Sequence, residues 1–186
     1  MTDVTIFRIG EHTLPTPKYA RFGDAGLDLA ACLAPVTDVN GYNYASQASD
    51  PSEPMLALTL SVTHTERSSA TLHIPARHAA LIPTGFAYQL PPNHEGQVRP
   101  RSSSPKYGYL VANSPGTIDE SYHGEILAWV LNLRDYPLVI THGQRFCQLV
   151  ISPVAHTTIR EGTADQLRNI TRDSERGNRG FGSTGK

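Results

Sequence analysis

Short runs of apolar residues, separated by proline and glycine, recur along most of this chain. Their length and their content of β-branched and aromatic residues predict β-strands at 4–9, 56–62, 70–74, 79–82, 86–90, 109–112, 125–133, 138–140 and 146–154. The run EILAWVLNL (125–133) is apolar on both alternating faces, which predicts a strand that is buried on both sides. Long helical periodicity is missing, and 164–170 is a weak helix candidate. The pattern therefore predicts an all-β protein, either a barrel or a sandwich.

Two segments depart from this strand pattern. Residues 40–55 are polar and contain Ser, Asp and Pro, which is typical of an exposed loop or insertion. The runs 56–65 and 70–76, joined by ERSS, predict a β-hairpin attached to that loop. From Ala155 onward the chain becomes polar and then rich in glycine. We therefore expect a core domain of residues 1–155, with an insertion at about 40–72, and a C-terminal arm of residues 156–186.

Composition and charge narrow the class of protein. The chain has 186 residues, which fits one domain with a substantial core and an appendage. Its net charge is −1 and its 16 Lys and Arg residues are scattered, which argues against a nucleic-acid-binding protein. The longest apolar run is too short to span a bilayer, and no N-terminal signal segment is seen. Cys32 and Cys147 lie in apolar stretches and predict buried thiols. We therefore expect a cytoplasmic protein that binds neither membrane nor nucleic acid.

Several polar residues stand where the pattern is otherwise apolar. Asp28 lies between two leucines in AGLDLAAC, and Asp119 directly follows Ile118. A carboxylate in such a place costs free energy to bury unless it is paired. Taken alone, each is best explained as a hydrogen-bonded structural residue. Gln148 interrupts the apolar run FCQLVI and is equally consistent with a core glutamine bonded to the backbone.

Two further segments have the composition of phosphate-binding loops. Arg101 is followed by three serines between two prolines, and such a cation with hydroxyls and amides can cradle a phosphate. A solvated turn explains the same residues as well. The C-terminal GFGSTGK matches part of a P-loop, but a P-loop needs a buried strand before it. The preceding TRDSERGN is polar, so a disordered tail is the simpler interpretation.

The joint order of these segments resembles that of the trimeric all-β dUTPase family, the dUTP diphosphatases. Five family motifs occur in sequence: AGLDLAA (25–31), PRSSS (100–104), NSPGTIDESYHGEI (113–126), GQRFCQLV (143–150) and RGNRGFGSTG (176–185). The third and fifth are the most specific, and the resemblance spans nearly the whole chain except about 40–72. Two residues depart from the pattern. Pro105 stands where a small or apolar residue is usual, and His123 stands where Arg is frequent.

The resemblance implies a distorted jelly-roll β-barrel that forms a homotrimer, with three active sites at the subunit interfaces. It implies Mg²⁺-assisted hydrolysis of dUTP to dUMP and pyrophosphate, which keeps uracil out of DNA and supplies dUMP for dTMP synthesis. Asp119 would be the general base that orients a water for attack on the α-phosphate. Gln148 would help to hold that water. Mg²⁺ would be held mainly by the substrate phosphates, and Asp28 would contact it through water.

The resemblance also assigns residues that bind the substrate. Phosphates would be bound from a neighbouring subunit by Arg101, Ser102 and Ser103. The uracil edge would be read by Asn113 and by the backbone around Thr117, Ile118 and Leu127. Tyr122 would pack against the deoxyribose and leave no room for a 2′-hydroxyl.

The C-terminal arm receives a role from the same resemblance. It would close over the occupied active site as a lid that excludes water. Arg176 would pair with the γ-phosphate, and Phe181 would stack on the uracil. The backbone at Gly182 would approach the triphosphate closely, and Ser183 and Thr184 would donate to its oxygens.

Two other functions remain open from the sequence. A dCTP deaminase-like enzyme shares this fold and an Arg-Ser-Ser motif, although that group lacks the glycine-rich arm. An interaction or regulatory protein on the same fold would use the 40–72 insertion to bind a protein partner. Insertions of this kind occur in phage-encoded members, for which the location would be the host cytoplasm. This role and enzymatic activity can coexist in one chain.

Overall fold

The computed structural model describes residues 3–33, 62–63, 70–174 and 177, with the backbone alone at 62–63. The chain divides into two compact units, Met1–Val154 and Ala155–Lys186. Within the described residues, the first unit contains eleven strands: β1 Thr5–Arg8, β2 Gly26–Ala30, β3 Val62–Thr63, β4 Thr71–Ile74, β5 Ala79–Gln89, β6 His94–Pro100, β7 Tyr109–Val111, β8 Gly116–Ile118, β9 Glu125–Asn132, β10 Leu138–Thr141 and β11 Arg145–Pro153. The prediction of an all-β fold is confirmed.

The strands form three antiparallel sheets. The first has the strand order β1-β5-β9-β7, the second β10-β4-β3, and the third β2-β11-β6-β8. Inward-facing side chains from all three sheets belong to one hydrophobic core, which includes Leu29, Ile74, Val130 and Leu149. Burying one such side chain typically contributes about 1.5–3 kcal/mol to folding. Outward positions of the third sheet are left for polar residues, and they form the site described below.

Strand β9 differs in part from its prediction. Its residues Ile126, Ala128 and Val130 are fully buried, whereas the alternating Leu127 and the residues after it on that face are half-buried. One face of β9 therefore lies in the hydrophobic core. The other face is also apolar, but this chain covers it only partly. The partner strands β5 and β7 occupy its edges and do not cover its second face.

The predicted strands 79–82 and 86–90 are one strand, β5, interrupted by a wide bulge. Residues 84–86 stand opposite the single residue Ile126, because the pairing shifts between Pro83–Leu127 and Ala87–Glu125. Gly85 has a φ of 77°, which glycine adopts without steric cost. The separate apolar runs on either side of the bulge made the sequence look like two strands.

The sequence pattern missed strands β2, β6 and β8. Their outward positions carry polar residues or glycine, as in GLDLA, HEGQVRP and GTI. The predicted hairpin is present as far as it is described, since β3 pairs with β4 through Val62–Leu72 and Thr63–Thr71. Most of the 40–72 insertion lies outside the described residues. Its predicted role as a binding surface for a protein partner stays a prediction.

The predicted thiols and the predicted helix are both present. Cys32 and Cys147 are buried thiols, and burial raises the pKa of Cys147. Helix α1 covers Ala164–Arg172 in the second unit, and Thr163 and Gln166 form a capping box at its start. Within the described residues, no helix is long and apolar enough to cross a membrane.

Candidate active site

The outer face of the third sheet aligns three polar side chains from three strands. Gln148 in β11 is paired with Asp28 in β2 on one side and with Arg99 in β6 on the other. Directly paired residues of antiparallel strands project to the same face. Their neighbours along the strands, such as Leu29 and Leu149, point inward and are buried. Strand alternation therefore brings residues 28, 99 and 148 into one row.

Asp28 accepts hydrogen bonds from two arginines. Arg101 donates from Nε to Oδ1 at 2.7 Å and from Nη2 to Oδ2 at 3.3 Å, and Arg145 donates from Nη1 to Oδ2 at 2.9 Å. The side chains of Asp28 and Arg101 are 20% and 25% exposed, whereas that of Arg145 is 57% exposed. A planar guanidinium that contacts both carboxylate oxygens is held in one orientation. Asp28 thus orients Arg101 and also binds Arg145.

Gln148 is held at the edge of the same cluster. Its Nε2 donates to the backbone oxygen of Pro100 at 2.8 Å. Its amide oxygen lies over Gly26, where a side-chain carbon would overlap it. Glycine at position 26 therefore leaves room for the amide of Gln148, and both residues line the cavity that the cluster surrounds.

A cavity of about 590 Å³ opens in front of this row. Within the described residues, its lining carries four guanidinium groups and two carboxylates, which leaves an excess of positive charge suited to a polyphosphate. The lining residues are Ala20, Arg21, Asp24, Ala25, Gly26, Asp28, Arg99, Arg101, Ser102, Arg145, Gln148 and Val150.

The predicted phosphate loop forms a tight turn after β6. The backbone nitrogen of Ser104 donates to the oxygen of Arg101 at 3.0 Å, and a 3₁₀ turn follows at Pro105–Tyr107. Proline suits the first position of such a turn, where its missing N–H has no partner to lose. The departure at Pro105 is therefore accommodated locally. Ser102 lines the cavity, whereas the carbonyl of Ser103 accepts from Tyr107 within the turn.

A second set of predicted residues lies around β8 and the start of β9. Asn113 accepts a hydrogen bond from the backbone nitrogen of Trp129 at 3.1 Å, which fastens the segment before β8 to β9. Ile118 is half-buried against the core, whereas Thr117 and Asp119 are exposed. Leu127 is half-buried in β9.

Tyr122 forms hydrogen bonds both to the residue that follows β8 and to the first residue of β9. Its backbone nitrogen donates to the oxygen of Asp119 at 3.0 Å, and its hydroxyl donates to the backbone oxygen of Glu125 at 2.9 Å. Burial, followed by the charge of Glu125, raises the pKa of Tyr122, so the phenol remains a donor. The ring is 42% exposed.

Glu125 was not selected by sequence reasoning, although it stands in the third motif. Its side chain is buried, and Oε1 accepts a hydrogen bond from the backbone nitrogen of Gly85 at 2.6 Å, inside the β5 bulge. Burial raises the pKa of its carboxyl, and hydrogen bonds from Gly85 and Thr84 oppose that effect. Arg21, Arg99 and Arg145 were also missed. An outward arginine of a short strand or loop is indistinguishable from an ordinary surface residue until the strands are paired.

The two sets are far apart within one chain. Thr117 is paired with Gln97, and Gln97 with Val150, so β8 and β11 are separated by β6. Continuing the register places Asp119 opposite Glu95, whereas Gln148 is opposite Arg99. Two strand spacings of about 5 Å and four residues at about 3.3 Å each separate Asp119 from Gln148 by about 16 Å. The residues near the cavity and the residues near Asp119 therefore do not meet within a single chain.

Mg²⁺ is the metal ion that the resemblance implies for this site. Among the described residues, no group of three His, Cys, Asp or Glu side chains is placed to hold a metal ion. The cavity offers Asp28, which is bound to two arginines, and Asp24, which accepts from the backbone nitrogen of Arg21 at 2.8 Å. Such a donor set does not form a protein cage, but it fits an ion that keeps its waters and binds mainly to phosphate oxygens.

The predicted residues of the arm, Arg176, Phe181, Gly182, Ser183 and Thr184, lie outside the described residues. Their roles stay predictions.

The chain is similar in sequence and in fold to known proteins. The dUTPase family model matches residues 67–185. The deoxyuridine 5′-triphosphate nucleotidohydrolase of Methylocella silvestris is 38% identical over 92% of this chain and 84% of its own length. The one from Sinorhizobium medicae is 35% identical over 98% and 91%. The solved dUTPase of Staphylococcus bacteriophage 80alpha with dUPNHPP has a TM-score of 0.68 at 19% identity, with both chains covered completely. The chain therefore belongs to the dUTPase family.

Proposed function

We propose that this protein hydrolyses dUTP to dUMP and pyrophosphate. The arginine-rich cavity, in which Asp28 orients Arg101 and binds Arg145 beside Gln148, is the observation that carries the proposal. An excess of guanidinium groups in a cavity of about 590 Å³ suits a nucleoside triphosphate. The names of the relatives support the same substrate.

The reaction is a displacement at the α-phosphorus. Asp119, an exposed carboxylate that directly follows β8, accepts a proton from water. The water oxygen bonds to the α-phosphorus, the bond from that phosphorus to the bridging oxygen breaks, and pyrophosphate leaves with the electron pair. Gln148 presents its amide oxygen to the attacking water. Positioned general bases of this kind typically contribute about 10²–10⁴-fold to the rate.

Binding of the phosphates is assigned to the first set of residues. Arg101, Ser102 and Ser103 bind phosphate oxygens, and Asp28 keeps the guanidinium of Arg101 in place before the substrate arrives. Mg²⁺ would bind the substrate phosphates and reach Asp28 through water, and it would neutralise charge on the triphosphate. Preorganised charges of this kind favour the transition state because they need no rearrangement during the reaction.

Recognition of the nucleoside is assigned to the second set. Asn113 and the backbone at Thr117, Ile118 and Leu127 read the uracil edge, and a close-fitting pocket there rejects the methyl group of thymine. Tyr122 packs against the deoxyribose. A ring in this place excludes a 2′-hydroxyl by contact.

The protein acts as a homotrimer in this proposal. Asp119 and Gln148 are about 16 Å apart within one chain, judged from strand spacing and register, and cannot hold the same water. A second chain must bring its own Asp119 to the cavity of the first. The arm, with Arg176, Phe181, Gly182, Ser183 and Thr184, then closes over the bound nucleotide.

A nucleotide panel tests the proposed function. Purified protein is supplied with Mg²⁺ and with dUTP, dTTP, dCTP or UTP, and both pyrophosphate and ammonia are measured. We expect pyrophosphate to be released from dUTP at a far higher rate than from the other three nucleotides. The Asp119→Asn variant is the control for contaminating hydrolases. Ammonia release from dCTP would instead identify a deaminase. Equal pyrophosphate release by the variant and the unchanged protein would overturn the assignment of Asp119.

A further inference from the structure

The ring of Tyr122 lies directly over Gly124. A side-chain carbon at Gly124 would come within 2.5 Å of the Tyr122 hydroxyl oxygen, 2.6 Å of Cζ and 3.0 Å of Cε2. Real carbon atoms do not approach so closely. The position of the ring therefore requires that residue 124 has no side chain.

The backbone of Gly124 does not itself require glycine. Its φ is not among the positive values in the described residues, where glycine is favoured. An alanine at this position is compatible with that φ, and the three atoms nearest to its Cβ would all belong to the end of the Tyr122 side chain. Because that side chain can rotate away, the ring gives way rather than the backbone.

The ring is otherwise held by a hydrogen bond to an anchored residue. The Tyr122 hydroxyl donates to the backbone oxygen of Glu125 at 2.9 Å. Glu125 is in turn fixed, because its buried carboxylate accepts from the backbone nitrogen of Gly85 at 2.6 Å. The backbone oxygen of Glu125 and the lack of a side chain at Gly124 together define one orientation of the half-exposed Tyr122 ring.

We propose that Gly124 is a specificity-determining position of the sugar pocket, which acts by allowing the Tyr122 ring to fold down over the chain. This rests on the proposed function, in which Tyr122 contacts the sugar. The ring orientation sets how much space lies beside the C2′ atom of the substrate. Gly124 is a positioning residue, since it acts through Tyr122 and touches no reacting atom.

The test compares kcat/KM for dUTP with kcat/KM for UTP in matched variants. Gly124→Ala should lower this dUTP/UTP ratio by about tenfold or more, which is the scale on which one misplaced group in a pocket changes discrimination. Asp135→Asn is the control, because the Asp135 side chain is largely exposed and pairs with Arg77 rather than with a residue of either set. That control should leave the ratio unchanged. Calorimetric titration with dUMP and UMP provides a readout that is independent of turnover.

A double-variant cycle shows whether Gly124 acts through the ring. In the Tyr122→Ala protein there is no ring to displace, so adding Gly124→Ala should change the dUTP/UTP ratio by less than about twofold. A further large fall in the double variant would overturn the proposal, because Gly124 would then act by another route. An unchanged ratio in a folded Gly124→Ala protein would overturn it too.

Tyr122→Phe keeps the proposal testable if Gly124→Ala fails to fold, as judged by thermal melting. This change keeps the ring and removes its bond to Glu125, so the dUTP/UTP ratio should fall part of the way towards that of Tyr122→Ala. A ratio equal to that of the unchanged protein would overturn the proposal. The proposed function fails separately, and only if the unchanged protein does not hydrolyse dUTP in preference to UTP.

Discussion

Arg101 contacts both carboxylate oxygens of Asp28, with Nε 2.7 Å from Oδ1 and Nη2 3.3 Å from Oδ2. We predict that Asp28→Asn lowers kcat/KM for dUTP by about tenfold to a hundredfold, because a small misplacement of a substrate-binding group is costly in rate. The variant should remain folded. Steady-state kinetics with pyrophosphate detection measures the effect.

The control for this prediction is Asp135→Asn. Asp135 also pairs with an arginine, Arg77, but both side chains are largely exposed. Exposed ion pairs contribute little. Similar losses in the two variants would mean that the carboxylate of Asp28 has no particular role in the site.

Asp119→Asn should remove turnover while nucleotide binding persists. The amide keeps the shape of the carboxylate but cannot accept the proton, so the loss should appear in kcat, at about 10²–10⁴-fold. Calorimetry with a dUTP analogue that carries an NH group between the α- and β-phosphates checks binding. Loss of binding to the same degree as turnover would mean that Asp119 holds the substrate rather than the water.

Mixed trimers should regain activity that neither parent variant has. If one chain supplies Asp119 and another supplies Arg101 to each site, co-refolding Asp119→Asn with Arg101→Ala at equal amounts should leave about a quarter of the sites intact by random assembly. Each variant refolded alone is the control. Absence of recovery in a mixture that forms mixed trimers would place both residues of a site on one chain.

Truncation after Ser174 should leave the first unit folded and catalysis much poorer. The core residues lie within Met1–Val154, so the removed segment contributes little to them. It takes away Arg176 and Phe181, and loss of one preorganised electrostatic contact commonly costs about 10²–10³ in kcat. Melting, sedimentation and pyrophosphate release are measured together. Full turnover in the truncated protein would refute the proposal that the arm acts as a lid. Dissociation of the trimer would instead show that the arm has a structural role.

Glu125→Gln should change how stability depends on pH. Burial raises the pKa of the Glu125 carboxyl, so the folded state binds this proton more tightly than the unfolded state. The stabilising contribution is present below the ordinary carboxyl pKa and is lost as pH rises through the raised value. The amide has no proton to lose, so the variant should gain stability relative to the unchanged protein as pH rises from about 4 towards 7. Denaturant melts at several pH values measure this difference, and a difference independent of pH would contradict it.

The amino-acid sequence by itself determined the class of fold and predicted part of the candidate site. Alternating apolar runs predicted most of the strands, and the five ordered motifs predicted roles for Asp28, Arg101, Asp119 and Gln148. These signals are local, because strand alternation and motif spacing are read along the chain. Strands β2, β6 and β8 were not predicted, because polar residues of the candidate site occupy their outward positions and interrupt the apolar pattern.

Tertiary structure alone decided which residues meet. Pairing of β2, β11 and β6 puts Asp28, Gln148 and Arg99 in one row, although they are far apart in sequence. The same pairing brings Arg145 into hydrogen-bonding distance of Asp28, and the β5 bulge brings the backbone nitrogen of Gly85 to the carboxyl of Glu125. These contacts depend on register between distant strands, which no local pattern encodes. For the same reason, the distance between Asp119 and Gln148 within a chain became known only from the order and register of the strands.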